Sequence, residues 1–354
     1  MRELRLKVPK RADLSTVRRL QFVAGGADLV IWVGEGGTGG GTMTLHVHTL
    51  STGTTRELNN DILWESMEPV VSPDGWFLAA ENVYHSSHIY VEDLTRRSED
   101  GFHLPAVTGP EFGLSEIVFT PDGSELLAVR HLSQQGRVTH TRDLARFPLG
   151  PYREPPLGYE QKINPLTELP FQMPIYDVGW RDEIPLPPGR YVHSAAISAD
   201  GRLFAAGDAG GGVLVVELAR GEVLASFRRT WPALAEESER VVRRVAFVPG
   251  GEWVVSRAGG RLFADPLGAA KPWKTGSELA HVNDFAVHPS GRLICAVCAD
   301  GRTRYLDPAT GTVTQTFKWA KGVQQLCSVC FAPDGLTCAA GGTAGRVVLW
   351  DVDA

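Results

Sequence analysis

The amino-acid sequence predicts an all-β fold: a seven-bladed β-propeller of four-stranded antiparallel blades, its ring closed by the N-terminal strand pairing into the last blade. Three observations carry that expectation. A strand–turn–strand phrase recurs seven times along the 354 residues. A second, shorter strand follows each copy, and six of these seven strands end at an acidic residue. The last copy stops short of an outer strand, while the first copy is preceded by a spare one.

The first phrase reads LQFVAGGADLVIW, PVVSPDGWFLAA, IVFTPDGSELLAV, AAISADGRLFAAG, VAFVPGGEWVVS, FAVHPSGRLICAV and VCFAPDGLTCAA. Its turn glycines are Gly26, Gly75, Gly123, Gly201, Gly251, Gly291 and Gly335, at intervals of 49, 48, 78, 50, 40 and 44 residues. A four-stranded propeller blade repeats at about 40–45 residues. In the turn, Pro presets φ at the first central position, Asp bonds its own backbone and Gly accepts positive φ. Apolar, β-branched runs on both sides make each copy a hairpin of two buried strands.

The second phrase reads TLHVHTLSTG, IYVEDLTRR, VTHTRDLAR, VLVVELARG, RLFADPLG, TRYLDPATG and VVLWDVDA. Its strand-end position holds Thr49, Asp93, Asp143, Glu217, Asp265, Asp307 and Asp351. The last copy ends Trp350-Asp351. On these residues, in phase seven times, the sequence resembles the WD-repeat (WD40) family over nearly the whole chain. Two departures stand out. The signature Trp is replaced by His48, Glu92, Arg142, Val216, Ala264 and Leu306 in the other copies, and the Gly-His pair that precedes a blade is absent. The family's buried His-to-Trp network is thus mostly missing, and the blades are expected to hold mainly by apolar packing.

The ends and the long interval complete the layout. Residues 3–8 (ELRLKV) alternate as a strand and are expected to close the ring, removing exposed sheet edges. The chain reads as one propeller domain over residues 1–354 with a Pro-rich insertion at about 147–189. That insertion holds ten prolines and six aromatics, among them Phe147, Tyr159, Phe171 and Trp180. Its aromatic content argues against disorder. Part of it, Gln172–Val178, is expected to supply the outer strand of blade three, and the rest is either ordered decoration or a partner-binding arm. Trp231–Glu239 (WPALAEESE) reads as one or two helical turns, with Pro at an early helical position and acids behind it.

Composition excludes several classes of function. A net charge of −6 argues against a general nucleic-acid binder, which needs a basic stripe to displace counterions. The N-terminus lacks a signal-like apolar region, and no run approaches the ~18 apolar residues of a membrane helix. All five cysteines lie between Cys295 and Cys338, unlike a disulfide scaffold. A reduced, cytoplasmic protein is expected. Arg outnumbers Lys 28 to 7, a coding bias that points to a bacterial source.

Motifs with chemical potential have plainer readings. Gly34 to Gly39 matches G-x-G-x-x-G, but a dinucleotide site needs a helix next, and strand Thr44–Leu50 follows. The loop reads as an open hairpin connection. Cys295/Cys298 and Cys327/Cys330 have zinc-knuckle spacing, yet residues three apart on a strand point to opposite faces, so buried thiols are expected. His46 and His48 share a strand face, and with His85 and His88 they form a candidate imidazole cluster. Packed or solvated histidines are the plainer reading. No metal or cofactor is expected, and no nucleophile motif is present.

The family resemblance implies a non-catalytic scaffold that binds a protein or peptide on the face where each first strand begins, around the central channel. Counting back eight or nine residues from each turn proline position gives the rim: Thr16, Trp64 with Glu65, Phe112, Arg190 with Tyr191, Arg240, His281, and Gln324 with Gln325. Trp, Tyr and Arg dominate binding hot spots. A monomer that binds neither nucleic acid nor membrane is expected. The alternative is a lactonase- or hydrolase-like propeller enzyme with a metal or acid at the channel mouth, for which one His and one Glu on the rim is a thin set of groups.

Overall fold

The computed structural model describes residues 2–5, 15–35, 43–58, 69–81, 88–94, 102–105, 112–134, 137–150, 158–163, 170–175, 181–189, 191–232, 235–250, 252–276, 279, 281–318 and 325–353. They form seven four-stranded antiparallel sheets and one two-stranded sheet. The fold is a seven-bladed β-propeller. Strand β1 (Arg2–Arg5) comes first. Blade one is β2 (Ser15–Val23), β3 (Asp28–Glu35), β4 (Met43–Thr49) and β5 (Thr54–Leu58); blade two is β6 (Val70–Val71), β7 (Phe77–Glu81), β8 (His88–Asp93) and β9 (Phe102–Pro105). Blade three is β10 (Phe112–Phe119), β11 (Glu125–Gln134), β12 (Arg137–Pro148) and β15 (Arg181–Gly189), with the hairpin β13 (Gly158–Ile163) and β14 (Pro170–Ile175) between. Blade four is β16 (Val192–Ile197) to β19 (Glu222–Arg228), with β17 at Leu203–Asp208 and β18 at Gly212–Glu217. Blade five is β20 (Val242–Phe247), β21 (Trp253–Ala258), β22 (Arg261–Pro266) and β23 (Trp273–Lys274); blade six is β24 (Val282–Val287), β25 (Ile294–Cys298), β26 (Arg302–Leu306) and β27 (Val313–Lys318). Blade seven is β28 (Leu326–Phe331), β29 (Thr337–Gly342), β30 (Arg346–Asp351) and β1. The chain divides into two compact units, Met1–Leu63 with His193–Ala354, and Trp64–Val192.

Burial follows position within the blade. The second strands are covered on both faces and read as continuous apolar runs; every residue of β25 is buried. The outer strands β19 and β27 are largely exposed, as expected where one face meets water. In the larger unit, apolar clusters fill the gaps between neighbouring blades. Val215 and Ala205 meet Val242, Val245 and Val254; Val255 and Leu262 meet Phe285 and Ile294; Cys295 and Val297 meet Val329, Cys338 and Trp350; Ala339 and Val347 meet Val17, Leu29 and Ile31. In the smaller unit, Phe77, Ile89 and Val91 pack with Leu126, Ala128 and Phe147. Each such Leu, Ile or Phe contributes roughly 1.5–3 kcal/mol on burial.

The repeated turn forms as its chemistry requires. The amide of Gly75 donates to Ser72 O, Gly123 to Thr120 O, Gly201 to Ser198 O, Gly291 to His288 O and Gly335 to Ala332 O. These glycines have φ between 68° and 79°, which a side chain would strain. Asp122 and Asp200 accept from the hydroxyls of Thr120 and Ser198 and from the amides of Ser124 and Arg202. Those bonds, the hydroxyl first, hold both carboxyls below their usual range.

Backbone pairing corrects the register of two second phrases. One bond repeats at the strand end: Leu50 N to Ala27 O, Leu94 N to Trp76 O, Leu149 N to Ser124 O, Leu218 N to Arg202 O, Leu267 N to Glu252 O and Val352 N to Leu336 O. The equivalent positions in blades three and five are therefore Pro148 and Pro266. Asp143 lies inside β12, and Asp265 occupies the signature Trp position. Phe147, not Arg142, is the Trp equivalent in blade three. β12 is longer than its counterparts, so a second acidic residue sat at the expected distance.

Polar packing is also larger than expected. Arg130 donates to Asp143 at 2.5 and 2.8 Å, with both side chains 5% exposed. Arg229 reaches Asp265 at 2.5 Å and Ser256 at 2.8 Å, with its guanidinium over the Phe263 ring at 4.6 Å. Trp350 Nε1 donates to Tyr305 Oη at 2.7 Å across blades six and seven. Buried ion pairs thus stand in for part of the missing His-to-Trp network, alongside the apolar packing.

The insertion and the helical segment need correction. Blade three takes its outer strand from β15, not from Gln172–Val178, because β14 is already paired with β13. Pro185, Pro187 and Pro188 lie in β15, an edge strand with one neighbour, where a missing N–H costs little. Helix α1 is the single turn Glu237–Arg240, shorter than Trp231–Glu239. Pro232 sits in a turn before it, accepting from Ala235 N.

β1 pairs antiparallel with β30, Arg2 opposite Leu349 through Arg5 opposite Arg346, so the N-terminal strand completes the last blade over residues 2–5. Deleting residues 1–5 strips that ladder at about 0.5–1.5 kcal/mol per bond. The expected result is a melting temperature several degrees lower. An unchanged melting temperature would contradict it.

The thiols are distributed over three interfaces. Cys298 packs toward blade five, Cys295 and Cys338 lie between blades six and seven, and Cys330 packs toward blade one. Cys327 alone is half-buried. Burial pushes the Cys298 thiol up to about 11 and raises Cys327 and Cys330. Because the thiolate is the nucleophile, labelling should be slow at neutral pH, led by Cys327, and still rising with pH beyond the usual thiol range. All five should react at once in denaturant. Several fast-reacting thiols in native buffer would refute this packing.

Candidate functional site

Five of the seven first strands share one recorded irregularity. Register shifts mark an extra residue near the start of β2, β10, β20, β24 and β28. The extra residues are Arg18, Ser115, Arg243, Asn283 and Cys327. A β-bulge leaves its residue outside the ladder, bends the strand and re-aims the side chain. Arg18 and Arg243 are exposed, while Asn283 and Cys327 are half-buried.

Beside these bulges, side chains bind blade to blade in the larger unit. Ser194 Oγ donates to Val242 O at 2.8 Å, linking blades four and five. Arg244 donates to both carboxylate oxygens of Asp284 at 2.7 and 2.6 Å, and Arg257 donates to Val282 O at 3.2 Å, linking five and six. Asn283 donates to Leu326 O at 2.6 Å, and Asp284 accepts from Val329 N at 2.9 Å, linking six and seven. Ser328 Oγ accepts from Leu20 N at 3.1 Å, linking seven and one. The first strands are thereby locked into one framework.

Three arginines of that framework stand out. Arg18 and Arg243 have no hydrogen bond or ion pair among the described residues. Arg257 has a buried Nε without a partner. Burial lowers its pKa first, Asp284 opposes that, and the charges of Arg243 and Arg244 lower it further. His193 is also lowered, by burial first and then by Arg243, against the opposing charge of Asp208.

The rim positions expected from the repeat fall as follows. Tyr191, His281 and Gln325 lie one residue before β16, β24 and β28; Arg240 ends α1 two residues before β20; Phe112 begins β10; Thr16 is the second residue of β2. Trp64, Glu65, Arg190 and Gln324 lie outside the described residues. Several of these residues hold the preceding blade. Tyr191 stacks at 5.2 Å on His131 of β11. The His281 ring sits on Gly260, where an added Cβ would lie 2.2 Å from the imidazole. Arg240 donates to Ala235 O, and its backbone O crowds Gly211. Gln325 is exposed.

Other candidate motifs take structural places. His46 and His48 are both buried, bonded to Thr44 at 3.2 Å and Thr55 at 2.9 Å. Cys295 and Cys298 serve different interfaces, as opposite faces require. Strand β4 follows the glycine-rich loop, whose residues 36–42 lie outside the described set, as do His85 and the neighbouring loop 82–87. No group of three potential metal ligands gathers among the described residues, and no described helix is long and apolar enough to cross a membrane.

The bulge arginines escaped the rim count because they lie two or three residues beyond the rim positions Thr16 and Arg240. A signal was nevertheless there: Val17-Arg18-Arg19-Leu20 and Val242-Arg243-Arg244-Val245 carry the same pair at the same repeat position.

Asp284→Ala tests the framework. It leaves Arg244 and the Val329 amide without their acceptor, and should destabilise the chain by about 2–4 kcal/mol. Denaturant unfolding measures this, and a loss under about 0.5 kcal/mol, the range of ordinary surface changes, would show that the link carries no stability.

Comparison with known proteins adds two findings. The model of the WD40 family (WD domain, G-beta repeat) matches residues 273–307 and 311–351. Each match runs from the outer strand of one blade, or just before it, through three strands of the next, the same offset that makes β1 part of blade seven. No curated protein matches the chain. The matched segments and the terminal Trp350-Asp351 identify WD40 repeats in the last two blades, and all seven four-stranded blades of the propeller are built in phase with them.

Proposed function

We propose that the chain is a non-catalytic scaffold for a protein or peptide, bound at the strand-start ends of its blades. The observation that carries this is a pair of exposed bulge side chains, Arg18 and Arg243, without hydrogen-bond or ion-pair partners among the described residues, on strands locked by inter-blade hydrogen bonds. A preorganised surface loses little entropy on binding, and Arg is among the residues enriched in hot spots. WD-repeat propellers are typically non-catalytic interaction platforms, which supports the same reading. We propose Trp64, Glu65, Phe112, Arg190 and Tyr191 as contact residues of the smaller unit and Arg240, His281, Gln324 and Gln325 as those of the larger, in a monomeric, single-domain, cytoplasmic protein without a cofactor.

The test is capture of partners from the native cell on the full chain, followed by affinity measurements on Trp64→Ala, Tyr191→Ala and Gln325→Ala. Loss of a good anchor costs at least ~2 kcal/mol, about thirtyfold in affinity. Because Tyr191 also supports His131, its variant needs a parallel unfolding curve. Wild-type affinity in all three would move the contact elsewhere, with the Pro-rich segment 147–189 next. Stoichiometric, tightly held metal on the purified chain, with hydrolytic turnover, would replace the scaffold reading by the enzyme one.

A further inference from the structure

We propose that the bulge surface of the larger unit takes an acidic segment of a partner protein, its Asp or Glu carboxylates meeting the exposed Arg243 and Arg18; this rests on the scaffold reading above and names the partner's chemistry. The argument is one of unbalanced charge. At the junction of blades five and six, Arg244 pairs with Asp284 and Arg257 donates to Val282 O, while the neighbouring bulge residue Arg243 stays exposed. Asp284 is already spent on Arg244 and the Val329 amide. The other nearby acid, Asp208, accepts from the amides of Gly210 and Gly212. Neither is hydrogen-bonded to Arg243, which is exposed and has no hydrogen bond or ion pair among the described residues. A planar guanidinium matches a carboxylate with two parallel hydrogen bonds, the strong form of this contact.

The overall charge selects the size of the anion. The chain is −6 in total, so this cationic patch is local. At physiological salt its attraction reaches about 8 Å. A short acidic stretch falls within that reach, whereas an extended polyanion such as a nucleic acid runs on into repulsive surface.

The probe is fluorescein-labelled octaglutamate, followed by anisotropy on the full chain at low and high salt. Octalysine, an oligothymidine of equal length and inorganic phosphate are the rival ligands. Octaglutamate should bind, weaken with salt, and lose about tenfold in affinity in Arg243→Ala, with Arg18→Ala weaker than wild type. Arg243→Lys, which keeps the charge but not the paired donors, should bind between wild type and Arg243→Ala, a graded loss that a purely structural role would not explain. Arg220→Ala, an equal charge loss at a strand-end turn of blade four where the side chain is 70% exposed, should bind as wild type. Thermal melts confirm that each variant is folded. Equal octaglutamate affinity in wild type and Arg243→Ala overturns the proposal, as does preference for the oligothymidine or full displacement by phosphate. Undiminished capture of the native partner by Arg243→Ala also overturns it while leaving the scaffold reading intact.

Discussion

A four-stranded blade has two apolar faces, and neither can be left to water. Everything else in this structure depends on each blade finding a neighbour for both. The second strands show the constraint most clearly: β25 has no exposed residue, and its alternate side chains belong to different interfaces, Cys298 to one and Cys295 to the next. A single strand therefore specifies two contacts at once. The same demand explains the offset between sequence repeat and structural blade. An outer strand taken from the adjacent repeat ties neighbours covalently, and β1 extends that arrangement to blade seven by pairing with β30.

Apolar packing alone lacks direction, and polar contacts supply it. Where Trp is missing, this chain uses other pairs. Asp265 occupies a Trp position and is met by Arg229 from the preceding connection. Tyr305 receives the indole N–H of the one Trp in its signature place. A buried ion pair adds little net stability compared with an apolar pair of equal volume, but breaking one leaves a buried charge. Such pairs discriminate among ways of docking similar blades more than they strengthen any one docking.

The bulges connect this architecture to the surface. Inserting one residue near the start of a first strand lets the next residue reach across to the neighbouring blade, as Arg244, Asp284 and Ser328 do. The inserted residue itself leaves the ladder. In blades one and five that residue is Arg, exposed and unpartnered. Rigidity and presentation thus come from adjacent positions of one local irregularity.

The sequence by itself determined the blade count, the hairpin within each repeat and the pairing of the N-terminal strand into the last blade. These follow from local chemistry: a Pro-Asp-Gly turn forms from its own four residues, and apolar runs of strand length have few alternatives. Only the tertiary structure decided the exact register of blades three and five, where Asp143 and Asp265 mimicked the strand-end acid while Pro148 and Pro266 occupied it. It also decided which proline-rich segment completed blade three, since β14 and β15 read alike until β13 claimed one of them. The rim was half legible. Tyr191, Arg240 and His281 were located by counting, but their packing on the preceding blade was not, because a contact between repeats leaves no mark in either repeat alone. The bulge arginines were present as two identical Val-Arg-Arg triplets. Their meaning depends on a one-residue slip in backbone pairing, and that slip is set by the blades on either side.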